Sequence, residues 1–343
     1  SEQNAWKKEL FERLDRIRVG CGELCQINTL DAWEAHLSTD PVSQAPYLTV
    51  NNVDCPTILG MEELDASDLS CGKWNEIRGE NYYPEELIPF YTLGGQWDID
   101  AQEKPRCDIY LTTKAGDSRL WETGNVWKHD DIEQAKKEIE EGTHKGSYGA
   151  EGVNYVRDVL KTAEVKDKSI LVIGSSAPWL EATLLLLGAK KVTTLEYGEL
   201  VSEHEQIVTM TPDVFRSAFL KGDLEMFDAV VSHSSLEHSG LGRYGDALNP
   251  WGDILTIARA WCVTKPGGWM YLGLPVGQAR DRVYANYHRI YGKLRWPLIT
   301  TNWKPVTSNY TDVFDLFIRG SLWGSPYGGH GYIFKKIDPS TNN

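Results

Sequence analysis

The 343 residues are enough for one large domain or two smaller ones, and at 41% hydrophobic they can form a full core. No apolar run approaches the length that spans a bilayer, so no membrane contact is expected of this chain. Forty-nine acidic against 35 basic residues leave a net charge of -14 with no long basic run, which argues against a surface that neutralises nucleic-acid phosphates.

Residues 5–18 carry Trp6, Leu10, Leu14 and Ile17 at helical spacing and predict an amphipathic helix. From Gly20 to about Gly124 Pro, Gly and Asn recur, and strand-like pieces are short, at 47–50 and 108–112. This stretch reads as an irregular, partly helical extension packed on the main domain, so that 1–145 precede an α/β domain at 146–336 and a tail at 337–343. Five of the six cysteines (Cys21, Cys25, Cys55, Cys71 and Cys107) fall in this extension. Their spacing matches no paired CxxC zinc pattern, and no metal site is assigned. Crowded into a loop-rich region, they suggest disulfides and a secretory compartment such as the Golgi lumen, with a cytosolic chain of scattered thiols as the alternative. The sequon at Asn309 agrees with the lumen. Cys262 lies on the apolar face of a predicted helix and reads as a buried free thiol. Thirteen Trp and 16 Tyr stand beside 8 Phe and 4 Met; most should fill the core, and a few could form sugar platforms.

Residues 129–141 predict a charged surface helix. After Gly142 β-branched runs alternate with helical segments: helix 151–161, strand 170–173, helix 179–187, strands 191–195 and 206–210, helix 212–220, strand 229–232, helix 251–262 and strand 269–274. A helix is expected at 281–293, and a closing strand pair at 310–319 and 331–336. This alternation implies a Rossmann-like, doubly wound and mostly parallel sheet.

Ligands of such sheets bind beyond the carboxyl ends of the strands. The turn after the first strand is Gly174-Ser175-Ser176-Ala177-Pro178. Gly174 allows close backbone approach, the two serines offer hydrogen bonds, and the next helix aims its N-terminus at the same place. Glu196 ends the second strand 22 residues after Gly174, which suits a ribose diol. The missing second glycine argues against a dinucleotide. Ser232-His233-Ser234-Ser235-Leu236-Glu237-His238 follows the fourth strand, and a Gly-rich loop bearing Arg243, Tyr244 and Asp246 leads to Trp251 and Asp253. His238 could remove a proton or brace its loop; Asp246 is the other candidate base. Glu237, Arg243, Tyr244, Trp251 and Asp253 are candidate acceptor binders, although Arg243 and Asp246 could simply pair.

The order of the Gly174 turn, Glu196, the Leu236-Glu237-His238 loop and Lys265-Pro266-Gly267-Gly268 resembles the class I S-adenosylmethionine (SAM) dependent methyltransferases, best from 169 to 275. The string from Glu237 to Asp253 more closely resembles an uncharacterised eukaryotic methyltransferase-like family. The chain keeps one glycine where class I enzymes usually have two or three. The resemblance implies SAM as cofactor, held by Gly174, Ser175, Ser176 and Glu196, with Asp213 near the adenine or capping its own helix, Tyr148 as a lid and His233 beside the cofactor as a buried partner. It implies a methyltransferase; an O-methyltransferase with a glycan hydroxyl as acceptor is expected from the lumenal cysteines, the abundant Trp and the loop-rich acceptor side. A small-molecule or lipid acceptor, or a non-catalytic glycan- or protein-binding module, are the alternatives.

Overall fold

The computed structural model describes residues 2–26, 37–39, 46–61, 83, 85–96, 99–100, 126–243, 246–276, 281–284, 287–292, 294–306 and 330–338. Its centre is a seven-stranded sheet of β1 (Ser169–Ile173), β2 (Lys191–Leu195), β3 (Ile207–Met210), β4 (Phe227–His233), β5 (Thr264–Leu274), β6 (Trp303–Pro305) and β7 (His330–Lys336). Across the sheet the order is β3-β2-β1-β4-β5-β7-β6. The first five strands are parallel, and β7 runs antiparallel to both β5 and β6. The parallel part has the doubly wound order, whose switch point lies between β1 and β4.

Strand alternation divides the core. Ile170, Val172, Val192, Ala229, Val231, Tyr271 and Ile333 face one side. There they meet α3 (His129–Glu141), α4 (Gly149–Leu160) and α5 (Trp179–Leu186) through Ile132, Ile139, Val153, Leu160 and Leu184. Leu171, Ile173, Val230, Met270 and Leu272 face the other side. Their partners are Phe215 of α6 (Pro212–Lys221), Ile257 and Ala260 of α7 (Gly252–Val263), and Trp296 of α8 (Arg295–Ile299). Burial on both faces explains why these strands read as unbroken apolar runs.

The N-terminal residues cover the outer face of α7. Leu14 and Ile17 of α1 (Glu2–Cys21), with Leu48, Val50, Ile58 and Tyr91, pack on Ile254, Leu255 and Ala258. Two disulfides form, Cys21–Cys25 and Cys55–Cys262. Cys262 is therefore not the free thiol its sequence position suggested: the short helix α2 (Cys55–Gly60) brings Cys55 against α7. Cys71, Cys107, Asn309 and the strands expected at 108–112 and 310–319 lie outside the described residues.

One element differs in kind. The helix expected at 281–293 is instead an antiparallel pair, Arg282–Tyr284 with His288–Ile290. Val, Tyr and Ile suit a pleat. Asp281 ends any helical option by accepting the backbone N–H groups of Gly292, Leu294 and Arg295, which starts α8 instead.

The Cys55–Cys262 bridge closes a span of 207 residues. Replacing both cysteines by Ala should lower unfolding free energy by roughly 2–5 kcal/mol, because the unfolded chain regains that loop entropy. Denaturant unfolding under non-reducing conditions measures it; an unchanged midpoint would mean that the bridge adds nothing to folding.

Candidate functional site

A cleft opens at the carboxyl ends of β1 and β2 and encloses about 740 Å³ of empty space, open solvent included. Gly174 and Glu196 form one rim, Ser235 and Ser239 another, and Thr256 and Arg259 of α7 a third. Leu59 and Met61, from the end of α2, close the side.

The turn at Gly174 depends on glycine. Its φ is +73°, and a Cβ there would lie 1.8 Å from Oγ of Ser235. The carboxyl ends of β1 and β4 can thus approach only without a side chain. Ser175 donates its N–H to Oε2 of Glu196 at 2.9 Å, and Tyr197 donates its N–H to Oε1 at 2.8 Å. The carboxylate keeps acceptor capacity for a ligand hydroxyl. Burial raises the Glu196 carboxyl above its usual range, opposed by the N–H groups of Tyr197, Ser175 and Gly198. The cleft sets the Glu196 carboxylate beside an apolar lining of Leu195, Pro212 and Phe215.

Beneath the turn lies an acid the sequence reading did not single out. Glu181 of α5 is fully buried and accepts the hydroxyls of Thr194 at 2.7 Å and Ser175 at 3.0 Å. Burial pushes its carboxyl up to about 7 against those two bonds.

The other sequence candidates divide between neighbouring places. Ser176 and Asp213 are exposed, Asp213 in the first turn of α6 rather than on the cleft lining. Tyr148 packs on Trp179 at 5.6 Å and edge-on to His233 at 4.9 Å. Burial drives its hydroxyl up to about 12, while a hydrogen bond with Ser234 acts the other way. His233 is buried, its Nδ1 3.0 Å from the Tyr271 hydroxyl and its Nε2 without a protein partner. Burial lowers it to about 4.

Ser234 takes a left-handed φ of +50° and turns the chain into the Leu236–His238 segment. Its hydroxyl donates to Oε1 of Glu237 at 2.7 Å; Oε2 of Glu237 is buried without a partner. Burial pushes Glu237 up to about 7. His238 is buried, with Nδ1 2.6 Å from the carbonyl of Tyr287 and Nε2 3.5 Å from Glu237. Burial, then the Arg243 guanidinium, hold it well below the ordinary imidazole range, so it is neutral at pH 7. Arg243 stacks on the Tyr287 ring at 4.2 Å.

Asp246 accepts the N–H of Gly240 at 2.7 Å and lines a second cavity, with Tyr197, Asn249, Thr256 and Arg259. Met61, Tyr197, Thr256 and Arg259 line both cavities, which makes them neighbours. Tyr244 lies outside the described residues.

Two expected acceptor binders serve the core instead. Asp253 is fully buried, 2.6 Å from Nη2 of Arg295, and accepts the Tyr291 hydroxyl at 3.0 Å. Burial works against its charge, but Arg289 and Arg295 hold it below the usual carboxylate range. The ring of Trp251 is buried beside Phe90. Among the described residues the indoles of Trp127, Trp179, Trp269, Trp296 and Trp303 are buried as well, and that of Trp261 is half-buried with Nζ of Lys336 4.3 Å from its ring. Sequence reading also missed Arg216 and Arg259. They donate to the carbonyls of Gly60 and Ile58 and so fasten α2 across the cleft. No local signal marked them, because their partners lie about 156 and 201 residues away in the chain.

Residues 167–315 match the family described as Caenorhabditis protein of unknown function, DUF268. No curated protein matches the chain. Among solved structures it is similar to "a putative hemolysin" from Lactococcus lactis, at 22% identity over 35% of this chain and 55% of that one, with a TM-score of 0.27. It is similar to "a putative sam-dependent methyltransferase" from Streptococcus mutans, at 12% identity over 53% and 48%, with a TM-score of 0.33. A third is an S-adenosylmethionine dependent methyltransferase from Mesorhizobium loti, at 14% identity over 57% and 77%, with a TM-score of 0.26. The chain spans about half the length of the first two, 55% and 48%. Methyltransferases make up most of these neighbours, the class the sequence resembles. The fold statement itself rests on strand order.

Glu181 gives a pH prediction. Below about pH 4.5 it is protonated whether the chain is folded or not. As pH rises the unfolded chain ionises first, so stability drains until about pH 7, where the folded carboxyl also ionises. The loss amounts to about 3 kcal/mol. Glu181→Gln cannot ionise and should gain up to about that much on wild type between pH 5 and pH 8 in urea unfolding; a constant difference would show that Glu181 titrates normally.

Proposed function

We propose that the chain is a SAM-dependent methyltransferase acting on a hydroxyl group. The observation that carries this reading is the Gly174–Glu196 rim at the switch point of a β3-β2-β1-β4-β5 sheet, with a cleft beside it. On this reading Glu196 takes the ribose diol, and Gly174 and Ser175 line the cofactor. Tyr148 and His233 flank its methionine end. Ser235 and Ser239, which the sequence did not single out as site residues, join them. When bound, SAM supplies a methyl group on a positively charged sulfur, and the chain's task is to align an acceptor oxygen and exclude water.

The second cavity is the acceptor site on this reading. Its lining of Asp246, Asn249, Thr256 and Tyr197 is polar enough for a polyhydroxylated acceptor, which favours a glycan hydroxyl over a lipid. Asp246 is the better placed of the two candidate bases, because it lines that cavity and His238 does not. The two disulfides suit an oxidising compartment, and we infer the secretory lumen. On this reading residues 1–145 form an extension whose Leu59 and Met61 wall the cleft of the 146–336 domain, with 337–343 as a tail.

Calorimetric titration with S-adenosylhomocysteine tests the cofactor. Micromolar binding is expected for the wild-type chain, weakened about tenfold or more in Glu196→Gln as the diol bonds weaken. No binding up to millimolar ligand would leave a non-catalytic binding module. The base is tested separately with Asp246→Asn and hydroxyl-bearing oligosaccharides. The turnover rate should fall about a hundredfold or more while S-adenosylhomocysteine affinity holds. Full turnover would reduce Asp246 to a brace for Gly240.

A further inference from the structure

Away from the carboxyl edge, the first turns of α3 meet the turn that leads into β3. His129 and Glu133 lie four residues apart and so share one face of α3. His204 comes from the turn. One ligand atom from each lies within 4.8 Å of the others. His204 is buried, whereas the side chains of His129 and Glu133 reach solvent. The two imidazoles stack in parallel with centroids 4.9 Å apart, and Nε2 of His204 lies 3.1 Å from Oε1 of Glu133. Each Nδ1 faces the carboxylate of the next residue: His129 lies 3.4 Å from Asp130, and His204 3.9 Å from Glu205. A metal-bound imidazole typically gives its remaining proton to such a neighbour.

We propose that His129, Glu133 and His204 bind one zinc ion through the two Nε2 atoms and the Glu133 carboxylate. Glu205, 3.7 Å from Nε2 of His129, or a water completes the four-coordinate set. Two imidazoles and a carboxylate are a donor set that zinc accepts. Two contacts compete with the ion. Lys136 places Nζ 2.8 Å from Oε1 of Glu133, and Nδ1 of His204 accepts the Gln206 N–H at 3.2 Å. Zinc displaces the ammonium, and the His204 proton moves from Nε2 to Nδ1, where Glu205 receives it. The site straddles the pairing of 126–127 with 201–202, reinforced by the Glu203 N–H on the carbonyl of Trp127 at 2.9 Å. The ion therefore staples the start of α3 to the edge of the sheet, a structural role apart from the cleft.

The full chain, freed of any affinity tag and stripped with a chelator, is titrated with Zn²⁺ by calorimetry and with Co²⁺ by visible absorption. One ion per chain is expected at micromolar concentration or below, with the strong bands of four-coordinate cobalt and a melting temperature that zinc raises. His129→Ala and Glu133→Gln, both at partly exposed positions, should weaken binding at least about tenfold and abolish the thermal shift. Absence of binding below millimolar zinc overturns the proposal. So does binding that both variants leave within about twofold, as it would be on Cys71 or Cys107.

Discussion

Five parallel strands covered on both faces leave one place for polar chemistry, and the rest of this molecule is arranged around that restriction. Parallel neighbours require crossover helices, and those helices take both sheet faces. Apolar side chains then fill both layers, and backbone groups without ladder partners gather where the strands end. The β1 and β4 ends are pressed together, leaving no room for a Cβ at Gly174 beside Ser235. Glu196 is held at that edge by two backbone N–H groups, so its carboxylate is oriented before any ligand arrives.

The N-terminal residues take part in the site as well as covering it. Three attachments hold α2 over the cleft: the Cys55–Cys262 bridge and the carbonyl contacts of Arg216 and Arg259. Leu59 and Met61 then supply apolar wall to a cleft whose other sides come from the sheet domain. An arginine donating to a carbonyl at a helix end also meets the partial negative charge there, which favours these two contacts over bonds to water.

Buried acids in this chain fall into two groups with opposite behaviour. Asp253 sits between Arg295 and Arg289, and the attraction exceeds the cost of burial, so it stays ionised. At Glu181 and Glu237 the cost of burial exceeds what their partners return, and both shift to about 7. The first is therefore a fixed charge that joins α7 to α8. The other two lie under the Gly174 turn and in the Leu236–His238 segment and change protonation near neutrality. Such pairs of shifted acids are common where a fold carries chemistry.

Much of this was legible in local pattern. Each strand of the parallel sheet announced itself as an apolar, β-branched run, and its helices by spacing, because both are decided by neighbours within a few residues. The Gly174–Glu196 spacing likewise depended on one βαβ unit. The segment at 281–293 misled because its apolar residues suit either period, and the choice fell to Asp281 capping α8. Asp253 and Trp251 looked like loop chemistry, yet packing with Arg295 and Phe90 turned both inward. The sequence alone determined the alternation of elements, the acidic balance and the turn at Gly174. Only the tertiary structure decided the partner of Cys262, the arginine hold on α2 and the meeting of His129, Glu133 and His204. Each joins residues dozens to hundreds of positions apart, and such contacts exist only once the crossovers have brought distant segments together.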